Sequence, residues 1–223
     1  AANAVRVALG PLDEGKLKQA ISELHRRVGY DLQALYRSHD SHGRPCDVLY
    51  YFWVMQTACP CCSENVDLFP SWIIARNAYP NRKPRVHVLC PACGNIFGCH
   101  SLEANAATCP SCNNRFDATV GTAKGNKAVC SCCRSIFTIV EAVGRQRPQF
   151  RAYGKLVVNA SGDKEYLPVN PEDLDAYENC TRQLAERARR GELSLPSLPL
   201  SAGYNTRQAM NYGFLSWRDF FND

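Results

Sequence analysis

The sequence predicts an α+β fold: small β-sheets in the middle of the chain, an N-terminal helical segment before them and a C-terminal helix after them. Three observations carry this. A cysteine phrase recurs four times, as Cys59-Pro60-Cys61-Cys62, Cys90-Pro91-Ala92-Cys93, Cys109-Pro110-Ser111-Cys112 and Cys130-Ser131-Cys132-Cys133. Short apolar and aromatic runs of strand length lie between and around the copies. Apolar residues at helical spacing are confined to the flanks, over Leu12–Tyr36 and Pro171–Arg190. In every copy a large apolar residue stands four places after the last cysteine: Val66, Phe97, Phe116 and Phe137. The repeat reads as a tight turn presenting two thiolates, with a residue packed beneath it.

The chain has 13 cysteines, an odd number, and eight of them fall in Cys-x-x-Cys pairs. The start, Ala1-Ala2-Asn3-Ala4-Val5, has neither the charged region nor the apolar core of a secretory signal. A disulfide framework is therefore the poorer reading, and metal binding in a reducing, cytoplasmic compartment the better one. Two such pairs close a tetrahedral zinc site. The simplest pairing is sequential: Cys59, Cys62, Cys90 and Cys93 around one zinc, and Cys109, Cys112, Cys130 and Cys133 around another, as tandem zinc ribbons. An interleaved cross-brace, first pair with third and second with fourth, is the alternative, and an iron–sulfur cluster is the other metal reading. Cys61 and Cys132 could each replace a neighbouring ligand, although Cys-x-x-Cys spacing at every pair argues against it. Four thiolates leave no position for water, so two structural zincs per chain are expected.

Taken in order, residues 1–46 form the N-terminal helical segment. Leu17, Ile21, Leu24, Val28, Leu32 and Leu35 make a stripe that should pack on a sheet or a neighbour, Asp13 suits the N-cap, and Gly29 marks a kink or break. Ser38-His39-Asp40-Ser41-His42-Gly43-Arg44-Pro45 reads as a polar loop; neighbours in sequence seldom form a triad. Residues 47–151 form the ribbon region. Asp47–Thr57 is a strand apolar on both faces, hence covered on both. Trp72-Ile73-Ile74 and Ile136–Val143 also read as strands, and Arg85–Leu89 leads back to Cys90. Residues 152–223 follow, with strands around Gly154 and a helix over Pro171–Arg190 capped by Asn170 and ended by Gly191. Leu193–Leu200 reads as extended, and Ser216 as the cap of a helix cut short at Asp223, as in a fragment.

The formal charge is +5, and the excess lies in residues 57–151, which hold eleven Lys/Arg against five Asp/Glu. Eight thiolates and two Zn²⁺ reduce that excess to about +2. No run of about 18 apolar residues exists, so no membrane helix is expected. The cations on loops and ribbon exits are the candidates for nucleic-acid contact: Arg76, Arg82, Lys83, Arg85, Lys124, Lys127, Arg134, Arg145, Arg147 and Arg151. No constellation points to catalysis.

Tyr50-Tyr51-Phe52-Trp53-Val54 leading into Cys59-Pro60-x-Cys62, then Leu68-Phe69-Pro70-Ser71-Trp72 and the later Cys-Pro-x-Cys knuckles, form one set of phrases. Gly203-Tyr204-Asn205-Thr206, Tyr212-Gly213-Phe214 and Trp217-Arg218-Asp219-Phe220-Phe221-Asn222 form another. Together they resemble the zinc-ribbon region of large prokaryotic adenine-specific DNA methyltransferases, a group often linked to phage defence. The resemblance implies methyl transfer from S-adenosylmethionine to an extruded adenine by the parent enzyme. Its catalytic Asp/Asn-Pro-Pro-Tyr motif and glycine-rich methyl-donor turn are missing here, so no activity is expected of this chain alone. The implied role is to position DNA or recognise the target, with DNA, the remaining methyltransferase domains and a defence-system protein as partners. A structural or protein-interaction module without DNA contact is the alternative.

Overall fold

A computed structural model describes residues 13–77, 84–193, 195 and 197–221. The N-terminal segment is one continuous helical rod: α1 (Glu14–Leu24), a π-helical turn (His25–Gly29) and α2 (Tyr30–Leu35). Asp13 caps it, accepting the Lys16 N–H at 3.0 Å; the expected start at Leu12 lies outside the described residues. Gly29 closes the π turn rather than breaking the helix, and a side chain there would meet the His25 ring. The stripe does not pack as expected. Leu17, Ile21, Leu24, Val28, Leu32 and Leu35 are all between 41% and 62% exposed. The rod leaves the sheet at its last turn, where Leu35 and Tyr36 border a cleft beside Tyr51 and Trp53.

The polar stretch contributes a strand, β1 (Arg37–His39), before its turn. Asp40 makes that turn: its carboxylate accepts the N–H groups of His42 and Arg44 and the Arg44 guanidinium, each at 2.9 Å. These bonds hold it below the usual carboxylate range, the Arg44 N–H first among them. β2 (Pro45–Ala58) then runs into the first knuckle, and β3 (Asn65–Asp67) leaves it. β4 (Ile73–Arg76), β5 (Arg85–Leu89) and β6 (Ile96–His100) form a three-stranded sheet around the second knuckle. A 3₁₀ turn (Ser101–Ala106) leads to β7 (Ala107–Thr108) and β8 (Arg115–Phe116), which flank the third. β9 (Ala123–Lys124), β10 (Lys127–Val129) and β11 (Ile136–Thr138) surround the fourth.

The strand expected over Ile136–Val143 stops at Thr138. Ile139–Val143 is a short helix, α3, which buries Ile139 and Val143 and ends at Gly144 with φ 57°. β12 (Gln149–Val158) is a single strand where two were expected, with register shifts on either side of its middle. It pairs antiparallel with β2 along most of its length, from Gln149 opposite Gln56 to Val158 opposite Asp47. β13 (Lys164–Pro168) follows, giving a sheet in the order β1-β2-β12-β13 with β3 also on β2. The helix α4 (Pro171–Arg189) has the predicted cap: Asn170 and Asp173 exchange side-chain-to-backbone bonds, both at 2.9 Å. α5 (Arg207–Asn211) and a 3₁₀ turn (Trp217–Phe220) complete the described chain.

The architecture is nested, not tandem. Between β2 and β12 lie the first and fourth knuckles, and between those lie the second and third. The outgoing stretch 67–72 and the returning stretch 118–123 run side by side. Phe69 N–H donates to Thr122 Oγ1 (2.9 Å), Ala123 N–H to Phe69 O (2.9 Å) and Trp72 N–H to Ala118 O (2.9 Å). The Thr122 hydroxyl also donates to Asp67 O. Gly121 is required at this crossing, because a Cβ there would stand 2.1 Å from Phe69 O. Separate cores sit on either side. Val66, Leu68, Ala128, Phe137 and Ile139 pack under the outer knuckles, and Val86, Val88, Ala104, Ala107 and Ala118 under the inner ones.

A buried ion pair fastens α4 to the sheet. Lys155 of β12, 2% exposed, donates to Asp173 Oδ2 at 2.6 Å and to Ser38 Oγ at 2.5 Å. Ser38 and Tyr51 donate to Asp173 Oδ1 at 2.6 and 3.2 Å. Burial pushes the Asp173 carboxyl up, but the Asn170 N–H, Lys155 and Ser38 outweigh it and hold it below the ordinary range. A depressed pKa contributes stability that is present above the unfolded value of about 3.9 and lost as pH falls through the folded one. Asp173→Ala leaves the Lys155 ammonium buried and unpaired, so it is expected to cost about 3–5 kcal/mol. Chemical denaturation at pH 7 measures that loss, and the gap between variant and wild type is expected to narrow below about pH 4.

Candidate metal centres

Each knuckle is built the same way from local backbone. The N–H after the second cysteine returns to the first cysteine's carbonyl: Ser63 to Cys59 (2.8 Å), Gly94 to Cys90 (2.9 Å), Asn113 to Cys109 (2.9 Å) and Arg134 to Cys130 (3.0 Å). The first cysteine's N–H bonds the carbonyl of Glu64, Asn95, Asn114 or Ser135 at 2.8–3.0 Å. This double closure requires a left-handed residue after the second cysteine, and φ there is 62°, 71°, 57° and 63° in chain order. Gly94 and Asn113 suit that conformation. Ser63 and Arg134 adopt it under the constraint of the knuckle.

The pairing differs from both arrangements the spacing suggested. Cys59, Cys62, Cys130 and Cys133 form one group, and Cys90, Cys93, Cys109 and Cys112 the other, with the four Sγ atoms of each group within 4.8 Å of one another. The first knuckle meets the fourth and the second meets the third, so the expected second ribbon over Cys109–Cys133 is not formed. In the outer centre Cys59 Sγ lies 3.7 Å from Cys133 Sγ, and Cys62 lies 3.6 Å from Cys130. In the inner centre Cys90–Cys112 and Cys93–Cys109 are both 3.6 Å apart. A tetrahedron of sulfurs about 2.3 Å from a central ion has edges of about 3.8 Å. These groups therefore have the size of a four-thiolate metal site, and each could hold one metal ion.

Burial separates the two thiols of every pair. Cys59, Cys90, Cys109 and Cys130 are buried, while Cys62, Cys93, Cys112 and Cys133 reach the surface. Polar groups two places after each second cysteine, except at Glu64, turn back on the sulfurs. Asn95 Nδ2 approaches Cys109 Sγ and Asn114 Nδ2 approaches Cys90 Sγ, both at 3.9 Å, a reciprocal pair across the inner centre. Ser135 Oγ stands 3.3 Å from Cys59 Sγ and 3.1 Å from Cys133 Sγ. The Ser135 hydroxyl and N–H draw the Cys133 thiol down to about 6. Burial pushes Cys109 up, but the N–H groups of Cys112 and Ser111 and the facing thiols bring it down to about 6. Cys62 goes the other way: the Glu64 N–H favours its thiolate, yet burial and three neighbouring thiols raise it to about 12. Four thiols crowded this closely cannot all ionise without a cation among them.

The candidate cations separate into two kinds. Arg76 and Arg85 are exposed at one end of the β4–β5 pair, and Arg82 and Lys83 lie outside the described residues. Lys124 and Lys127 pair across the Gly125-Asn126 turn and are exposed, as are Arg134 and Arg145. Arg147 and Arg151 are engaged within the molecule. Arg147 Nη2 donates to Phe221 O at 2.7 Å and its guanidinium lies 5.8 Å from the Phe150 ring centroid, while Arg151 pairs with Asp67. Lys155 and Ser38 are locked by Asp173. Comparison with protein-family models, with curated proteins and with solved structures gives no match.

The nested pairing has a direct test in metal stoichiometry. Cys59→Ser with Cys130→Ser damages one centre, so the double variant is expected to keep one metal per chain. Cys59→Ser with Cys90→Ser damages both and is expected to keep none. Sequential pairing requires the reverse, and native mass spectrometry distinguishes them.

Proposed function

We propose that this chain is a non-catalytic, zinc-scaffolded region of an S-adenosylmethionine-dependent adenine-specific DNA methyltransferase, and that it positions the DNA. The observation that carries the reading is the pair of closed four-sulfur sites, with exposed cations at the strand ends opposite the knuckles. All-sulfur tetrahedral sites favour Zn²⁺ or iron, and paired Cys-x-x-Cys knuckles with no open position favour structural zinc. The chain's own residues supply eight thiolates, hold them at tetrahedral spacing and exclude water from the buried cysteines. Zinc, when bound, contributes folding free energy and no chemistry on a substrate. Maintaining so many reduced thiols suits the cytoplasm.

The phrases that resemble the methyltransferase family have clear physical roles. Tyr50–Val54 lies in β2, and Leu68–Trp72 is the stretch that crosses the returning chain. Trp217–Phe220 forms a capped 3₁₀ turn whose Phe220 stacks on Phe214. They support the reading as scaffold, leaving Arg76, Arg85, Lys124, Lys127, Arg134 and Arg145 for phosphates.

Two measurements test it. Elemental analysis is expected to find two zincs per chain, released on acidification because protons compete for the thiolates. Binding to duplex DNA is expected to weaken with salt by roughly 0.9 log units per log unit for each phosphate contacted. Lys124→Glu with Lys127→Glu is then expected to reduce that slope by about two. Zinc-loaded protein that shows no salt-sensitive binding to duplex or single-stranded DNA would refute the DNA reading.

One observation favours a second reading. The bare apolar stripe of α1 and α2 is the kind of face that docks protein. In this reading the ribbons brace the remaining methyltransferase domains or a defence-system partner without touching DNA. Substituting Leu24 and Val28 with Ser would then abolish association with those domains while leaving the zinc content at two.

A further inference from the structure

The bare face of α1 and α2 carries a more specific pattern than amphipathicity. Leu17, Ile21, Leu24 and Val28 are spaced four, three and four residues apart, the d-a-d-a order of a heptad repeat. Leu32 follows Val28 by four where the heptad asks for three. The π turn over His25–Gly29 absorbs that additional residue, because its hydrogen bonds span five residues instead of four. The stretch from Leu24 to Leu32 would make about 2.2 revolutions of plain α-helix. The wider turn brings this closer to two, so Leu24, Val28 and Leu32 share one line. Ile21 and Val28 then occupy a, and Leu17, Leu24 and Leu32 occupy d.

Three features say what fits this line. It is narrow, since the flanking e and g positions are Lys18, Ala20, His25 and Arg27. A stripe that packs on a globular core widens into e or g, whereas a strict a/d line is the seam between two helices. Its residues are sorted, β-branched at a and leucine at d, which favours two parallel strands. All five are exposed, although a helix gains most of its stability from a packed face.

We propose that the chain pairs with a second copy of itself through α1 and α2. The pair is a short parallel coiled coil with Leu17, Ile21, Leu24, Val28 and Leu32 as its seam. Charge agrees with the orientation. Parallel helices set each g residue against the following e residue of the other copy, so Asp13 meets Lys18, twice by symmetry. Ala20 meets His25 and Arg27 meets Gln33, so no like charges meet. Antiparallel helices matching the same layers would set Lys18 against His25 and leave Asp13 without a cation across the seam. The proposal rests on neither reading of function; it needs only the helix and its exposed face.

Sedimentation equilibrium of the intact chain tests it. The expected mass is that of two chains, dissociating on dilution. Leu24→Lys is expected to give a monomer. Because Leu24 is 62% exposed, the near-UV circular dichroism of the remaining fold should be unchanged. Lys18→Glu, which sets a second carboxylate against Asp13, is expected to weaken the dimer severalfold. Leu17→Ile, Leu24→Ile, Val28→Ile and Leu32→Ile together are expected to shift the assembly to trimers or tetramers, as Ile at both a and d does. A wild type that stays monomeric up to its solubility limit overturns the proposal, and that is the outcome if the stripe docks only other domains. A dimer that survives Leu24→Lys also overturns it, since its interface then lies elsewhere. A dimer indifferent to Lys18→Glu overturns the parallel orientation.

Discussion

Everything in the middle of this molecule depends on the antiparallel ladder between β2 and β12. It brings together chain segments roughly a hundred positions apart, and with them the point where the chain enters the first knuckle and the point where it returns from the fourth. Inside that clamp a second closure, between 67–72 and 118–123, does the same for the inner knuckles. Each layer fixes the ends of the one within it. The two four-cysteine groups are therefore brought together by pairing of backbone that lies outside them.

The nested arrangement explains why spacing was a poor guide to pairing. Cys62 and Cys130 are 68 positions apart, whereas sequential pairing would join Cys62 to Cys90. The extra loop-closure entropy for the longer connection is only about 0.8 kcal/mol, since the cost grows with the logarithm of length. A ladder with Phe150 opposite Met55 and Lys155 opposite Tyr51 outweighs that easily. Proximity in sequence is a weak force, and pairing of buried strands is a strong one.

Local pattern and tertiary setting also divide the charged residues. Ten cations looked alike as loop or exit positions, yet two of those described are engaged within the molecule: Arg151 with Asp67, and Arg147 with Phe221 O and the Phe150 ring. Conversely, Lys155 drew no notice in the sequence, and it is fully buried, held by Asp173 and Ser38 from two other elements. The apolar stripe of α1 and α2 was legible as amphipathic, but periodicity cannot say whether anything lies against it.

The sequence by itself determined what is local. The four knuckles, the eight likeliest sulfurs by spacing, the Asp13 and Asn170 caps, the strands of the ribbons and the α+β class all follow from short-range rules, since a turn or a cap is closed within a few residues. Only the tertiary structure decided which knuckles share a centre and that Ile139–Val143 turns helical to bury its apolar side. Those outcomes depend on which distant strands pair. One long ladder selects among several local solutions that are otherwise nearly equal in free energy.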